Sequence, residues 1–137
     1  MPAYNEEKTI QVTLAKVIEV SLIGGMGKEI VIVNDCSKDG TEQEIRNFMD
    51  ANQQADIKYY KHDVNKGKGA AIHTGIAYAT GDYVIIQDAD LEYNPAEYNI
   101  LLQPIVDGSA DVVYGSRFIG GKPHRILFFW HTIGNRM

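Results

Sequence analysis

The segment 83–92, YVIIQDADLE, places the strongest limit on what this chain can fold into. Val84, Ile85 and Ile86 form an unbroken apolar run, the pattern of a strand buried on both faces. The run stops at two carboxylates one residue apart, Asp88 and Asp90. Strands covered on both sides belong to parallel sheets between helices, and in such sheets ligands bind beyond the carboxyl ends of the strands. Acids at that point face a site and not merely solvent. Alternate residues of an extended segment point the same way, so Asp88 and Asp90 can approach one cation, with Glu92 two residues further on. Hard oxygen donors suit Mg2+ or Mn2+. Taken alone, the D-x-D spacing fits an acidic turn after a strand equally well, so the neighbouring segments must decide.

From the N-terminus, MPAYNEE leads into a helical pattern with Ile10, Leu14, Val17 and Ile18 on one face. Asn5 is placed to cap that helix, with Glu6 and Glu7 at the positive end of its dipole. Residues 29–34, EIVIVN, read as a buried strand, followed by a polar turn over 35–40 and a helix from Thr41, where Thr41 and Glu44 fit a capping box. A strand near 57–61 precedes NKGKGAA and a helix expected to pack through Ile72, Ile76, Ala71, Gly75 and Ala79. The strand predicted over 83–88 is followed by a helix with Asn94 as N-cap, Pro95 in its first position and Glu97 three residues after the cap. A last strand is expected over 111–114, then GSRF, a loop with Gly120, Gly121 and Pro123, and a helix from about Arg125. Strands alternating with helices predict an α/β fold with a mostly parallel sheet flanked by helices. The turns at 34–37, 88–90 and 115–117 should then gather along one edge.

At 137 residues the chain is expected to form one domain. A formal charge of −5 argues against a general nucleic-acid binder. The charge is unevenly spread: no acid follows Asp111, while Arg117, Lys122, Arg125 and Arg136 are interleaved with Phe118, Phe128, Phe129 and Trp130. A basic, aromatic end suits a membrane surface or an anionic ligand. Its longest apolar run, 126–130, is far short of the roughly 20 residues a spanning helix needs. The single Cys36 excludes an intramolecular disulfide, and with no basic-then-apolar leader pattern a cytoplasmic setting is expected.

Five motifs in this order, PAYNEE at 2–7, VNDCSKDGT at 33–41, NKGKGAA at 65–71, DADLE at 88–92 and GSRF at 115–118, resemble the family 2 glycosyltransferases. Within that family the chain looks most like the dolichyl- or polyprenyl-phosphate mannose (or glucose) synthases. The resemblance implies a GT-A fold, a GDP- or UDP-hexose donor, a divalent metal and inversion at the anomeric carbon. It further implies one catalytic domain over 1–137, with donor and metal binding in 1–118 and an acceptor-side, membrane-proximal segment in 119–137. Carried over by position, Pro2, Ala3, Tyr4 and Glu6 border the base and ribose, and Asp35 hydrogen-bonds the base or sugar. Asn34 and Cys36 depart from the usual V-D-D-G-S pattern, so the turn there is expected to differ. Lys68 either lies near the donor or is a solvated lysine at a helix start. Asp88 and Ala89 meet the nucleotide sugar, Asp88, Asp90 and Glu92 hold the metal, and Arg117 joins Asp88 and Asp90 as a catalytic group on the diphosphate. His124 and Arg125 fall on the acceptor side, and the other histidines are read as structural.

No convincing general base occurs among the acids after Leu91, which are Glu92, Glu97, Asp107 and Asp111. A lipid phosphate acceptor removes that need, because its oxygen is already ionised near neutral pH. The function expected is therefore hexose transfer to a polyprenyl or dolichyl phosphate at the cytoplasmic face of a membrane. A saccharide acceptor in cell-envelope polysaccharide synthesis, a nucleotidyltransferase and a non-catalytic nucleotide-binding piece remain as alternatives. Because a strand is expected before PAYNEE and relatives of this type are longer, the chain is expected to be trimmed at both ends.

Overall fold

The computed structural model describes residues 1–115. Three parallel strands, β1 (Pro2–Ala3), β2 (Glu29–Asn34) and β3 (Asp56–Lys61), lie side by side in that order. Helices α1 (Ile10–Glu19), α2 (Thr41–Ala51), α3 (Lys68–Tyr78) and α4 (Tyr98–Val106) complete the described elements, with short 3-10 turns at Ile23–Gly25 and Pro95–Glu97. The expected α/β architecture with a parallel sheet between helices is present.

β2 is apolar from Ile30 to Val33, where it is covered on both faces. Ile30 and Ile32 join Ile10, Leu14 and Val17 of α1 and Ile45 and Phe48 of α2 in one core cluster. Val31 and Val33 point the other way, onto Ala71 of α3. Burying each such side chain contributes about 1.5–3 kcal/mol. α3 approaches through small residues: a methyl group added at Gly75 would lie 3.6 Å from Val33 Cγ2. Of the face expected for this helix only Ala71 is buried, and Ile76 is exposed.

Local signals fared unevenly. Asn94 does cap its turn, accepting from Ala96 N at 3.1 Å. Asn5 does not cap α1, which begins at Ile10; Asn5 is left-handed (φ 57) and its side chain accepts from Lys38 N instead. Thr41 does not form a capping box. It lies inside α2, fully buried, and Asp39 Oδ1 accepts from both its backbone N–H (3.0 Å) and its hydroxyl (2.5 Å). At the other end of α1, Lys28 Nζ donates to the carbonyls of Val17 (2.6 Å), Ile18 (2.9 Å) and Val20, satisfying orphan acceptors of the last turn.

The strands expected over 83–88 and 111–114 are absent among the described residues. Tyr83, Val84 and Ile86 are about half exposed, Val112 and Tyr114 more so, and of the 84–86 run only Ile85 packs against the core. The reason among the described residues is the lack of a neighbouring strand. Met1 carries the last rungs of the β1–β2 ladder, Val33 N donating to Met1 O (2.9 Å) and Met1 N to Val31 O (2.7 Å). Beyond it, a cavity of about 390 Å³ separates the edge of β2 at Lys28, Glu29, Ile30 and Val31 from Tyr83, Ile85 and Gln87. A strand exists only as one of a pair, and among the described residues the 83–88 segment has no strand beside it.

Candidate functional site

The carboxyl ends of β1 and β2 open into two loops that are laced together. Asn5 N donates to Ser37 Oγ (3.0 Å), Lys38 N to Asn5 Oδ1 (2.9 Å), and Gly40 N to Glu7 Oε2 (2.8 Å). Tyr4 stands exposed in the first loop, and Pro2 is half-buried behind it. Ala3 is in the hydrophobic core at 2% exposure, so its side chain lines no ligand site, contrary to expectation. The Glu6 carboxylate is held by the Thr9 hydroxyl at 2.7 Å, and Glu6 N donates to Thr41 Oγ1 at 2.7 Å. The turn at 34–37 keeps a left-handed residue despite its unusual sequence: Cys36 adopts φ 60, a conformation that favours glycine. Asn34 closes this turn, its Oδ1 accepting from Ser37 N at 2.9 Å and its amide donating to Tyr59 Oη at 3.0 Å.

Asp35 is not placed to meet a base or a sugar. Its side chain is 4% exposed, and protein groups fill both oxygens. Oδ1 takes His62 Nδ1 (2.7 Å) and Lys66 N (2.9 Å), and Oδ2 takes Gly67 N (2.7 Å). Burial alone would raise this carboxyl, but the Lys66 and Gly67 amides and His62 outweigh it and hold the group below the usual range. His62 passes the connection on to Thr74 Oγ1 of α3 at 2.9 Å. The chain Asp35–His62–Thr74 therefore pins the 62–67 loop, and with it the start of α3, to the end of β2. His62 is structural, as expected, and Asp35 joins it in that role.

The D-x-D turn is fixed from below by buried groups the motif does not contain. Thr13, on the apolar face of α1 at 1% exposure, donates its hydroxyl to Ala89 O (3.0 Å) and Asp90 O (3.2 Å). Gln87, also buried, donates to Asp88 O at 3.0 Å and is oriented by the Tyr98 hydroxyl at 2.8 Å. Burial pushes the Tyr98 phenol above its ordinary pKa, keeping it a neutral donor. Thr13, Gln87 and Tyr98 were missed because only their positions mark them; Thr13 is a polar residue inside the Ile10–Leu14–Val17 stripe. Ala89, expected at the nucleotide, has its side chain in the core at 2% exposure.

Asp88 and Asp90 behave differently. Asp88 Oδ2 pairs with Lys68 Nζ at 2.7 Å, although most of the lysine side chain remains in water. Asp88 Oδ1 is buried without a hydrogen-bond partner among the described residues. Asp90 Oδ1 turns back onto Glu92 N at 3.0 Å. Asp88, Asp90 and Glu92 therefore do not converge as a three-acid cage, and no such cluster occurs among the described residues. The reason is local: one acid is drawn to Lys68, another to its own turn. A divalent ion still fits the donors present. An orphaned, buried carboxylate oxygen is costly unless a cation or donor meets it, and a hard oxygen pair from Asp88 and Asp90 suits Mg2+ or Mn2+. Arg117, His124 and Arg125, with the whole 119–137 segment, lie outside the described residues. No helix among the described residues is long and apolar enough to cross a membrane.

The chain is 29% identical over 130 residues to the dolichol-phosphate mannosyltransferase of Pyrococcus furiosus, covering 94% of this chain and 35% of that protein. It is 38% identical over 90 residues to the poly-beta-1,6-N-acetyl-D-glucosamine synthase of Staphylococcus epidermidis, covering 66% of this chain and 20% of that one. Among solved structures it resembles a mannosyltransferase from Pyrobaculum calidifontis in complex with GDP-Man and Mn2+, with a TM-score of 0.59, 30% identity, and 65% and 26% of the two chains covered. The chain thus spans about a third or less of these relatives. The family model described as Glycosyl transferase family 2 matches residues 1–127, nearly the whole length, and the chain belongs to that family.

Proposed function

We propose that these residues form the donor-binding part of a metal-dependent, inverting glycosyltransferase that moves a hexose from a nucleotide sugar to a polyprenyl or dolichyl phosphate. The observation that carries the reading is Asp88 Oδ1, buried and without a hydrogen-bond partner among the described residues, one residue from a second acid. Asp88 and Asp90 would hold the divalent ion, Mg2+ or Mn2+. When bound, that ion supplies Lewis-acid relief of the charge that grows on the departing diphosphate. Lys68 reaches the same carboxylate and is within a side chain's swing of any phosphate placed there. Tyr4, on the loop laced to 37–40, offers an aromatic face to a base. The hydrogen bonds from Thr13, Gln87 and Tyr98 hold the acids at fixed positions before the donor arrives, which lowers the ordering cost of binding. Arg117 would meet the diphosphate through its guanidinium fork, a geometry matched to phosphate oxygens.

GDP-mannose is the favoured donor, supported by likeness to two mannosyltransferases, one of them holding GDP-Man and Mn2+. Calorimetric titration of GDP and UDP, with and without Mn2+, on this chain and on Asp90→Ala tests the reading. We expect GDP to bind more tightly than UDP and to need both Mn2+ and Asp90. Equal binding without Mn2+, or no change in Asp90→Ala, would overturn it. A saccharide acceptor is the second reading, favoured by likeness to the N-acetylglucosamine polymer synthase. GDP release stimulated by polyprenyl phosphate and not by oligosaccharides separates the two.

A further inference from the structure

Lys68 occupies a poor place for a lysine whose only task is stability. It is the first residue of α3, directly after Gly67, so its charge sits at the positive end of the helix dipole. The first turn of α3 contains no acid to offset it. Its partner Asp88 is largely sheltered, with 18% of the side chain exposed, whereas 60% of the lysine side chain is in water. Exposed pairs of this kind add little to folding. What the ammonium does is chemical: it pairs with an acid whose other oxygen is buried without a hydrogen-bond partner among the described residues, the more distant Met1 ammonium acting on it only through charge.

We propose that Lys68 is a counter-cation that exchanges with the metal, holding Asp88 in the empty site and leaving it when a divalent ion binds. The inference rests on the donor-site reading above. An acid half withdrawn from water needs a positive partner in every state, and the two cations compete for one carboxylate. Once displaced, the ammonium would be free to meet the charge of a diphosphate bound with the ion, since its flexible four-carbon stem lets it turn without moving α3. Ion binding alone then leaves the lysine without its partner, while ion and diphosphate together give it a new one. Lys68 thus makes Mn2+ and nucleotide bind cooperatively.

The test is Mn2+ binding followed by electron paramagnetic resonance on the whole chain, alone and with saturating GDP, for the wild type, Lys68→Met and Lys68→Arg. Removing the competing charge in Lys68→Met should tighten Mn2+ binding without nucleotide by roughly two- to fivefold, the value of one exposed pair. The same variant should lose most of the enhancement that GDP gives. Lys68→Arg keeps the charge and should follow the wild type. Unchanged or weaker Mn2+ binding in Lys68→Met without GDP overturns the inference while leaving the donor site intact. If no protein binds Mn2+ with or without GDP, the donor-site reading fails and the inference with it.

Discussion

Replacing Thr13 with valine isolates what one hydroxyl does for the acid turn. The two side chains have nearly the same shape, so no cavity opens, and Thr13 is 1% exposed, so water cannot take over its role. The substitution strips a donor from Ala89 O at 3.0 Å and Asp90 O at 3.2 Å. One shared hydrogen bond is worth about 0.5–1.5 kcal/mol net, and a buried carbonyl left unpaired costs about 1–3 kcal/mol. Since one O–H serves two acceptors and Asp90 is only partly buried, the loss should be about 1–3 kcal/mol. With a urea m-value of about 2 kcal/mol/M, the unfolding midpoint should fall by roughly 0.5–1.5 M. Because the lost bonds hold the backbone of Ala89 and Asp90, affinity for GDP with Mn2+ should fall several-fold as well. Thr13→Ser keeps the hydroxyl and loses about 0.8 kcal/mol for the buried methyl, and should retain nucleotide affinity. A Thr13→Val protein as stable as the wild type, with unchanged affinity, would show that the hydroxyl does not anchor the turn.

Two further outcomes are expected. Glu29 is held at about 2 against its ordinary 4.5, first by Lys58 at 2.5 Å and then by Thr80, Gly81 and the Thr80 hydroxyl. Its folded-state pKa is depressed, so its contribution is complete above about pH 4.5 and disappears as pH falls towards 2; the acid limb of a stability–pH curve should be shallower in Glu29→Gln, and superimposable limbs would contradict this. In native-state hydrogen exchange, the Val31 amide, which points towards the cavity edge with no strand opposite it, should exchange faster than the amides of Ile30 and Ile32, which face β3; equal protection of all three would refute the free edge.

The sequence alone determined the central covered strand, the helices around it and where acids would collect. EIVIVN could only be a strand covered on both faces, Asn94 and Pro95 could only open a helix, and the acids of DADLE had to lie where an apolar run gives way to polar surface. These are local properties, written in periodicity and cap chemistry. Which polar atom meets which was decided by tertiary structure. Asp35 has the composition of a ligand-binding acid, yet it is consumed by His62, 27 residues away. The anchor of the acid turn is Thr13, 76 residues before Ala89. The apolar run 84–86 has every mark of a buried strand except a neighbour among the described residues, and Val84 and Ile86 stay half in water. The tendency to be buried follows from a residue's own chemistry, so it can be read along the chain. A hydrogen bond or a strand pair needs two partners, and only the folded chain brings the second within 3 Å.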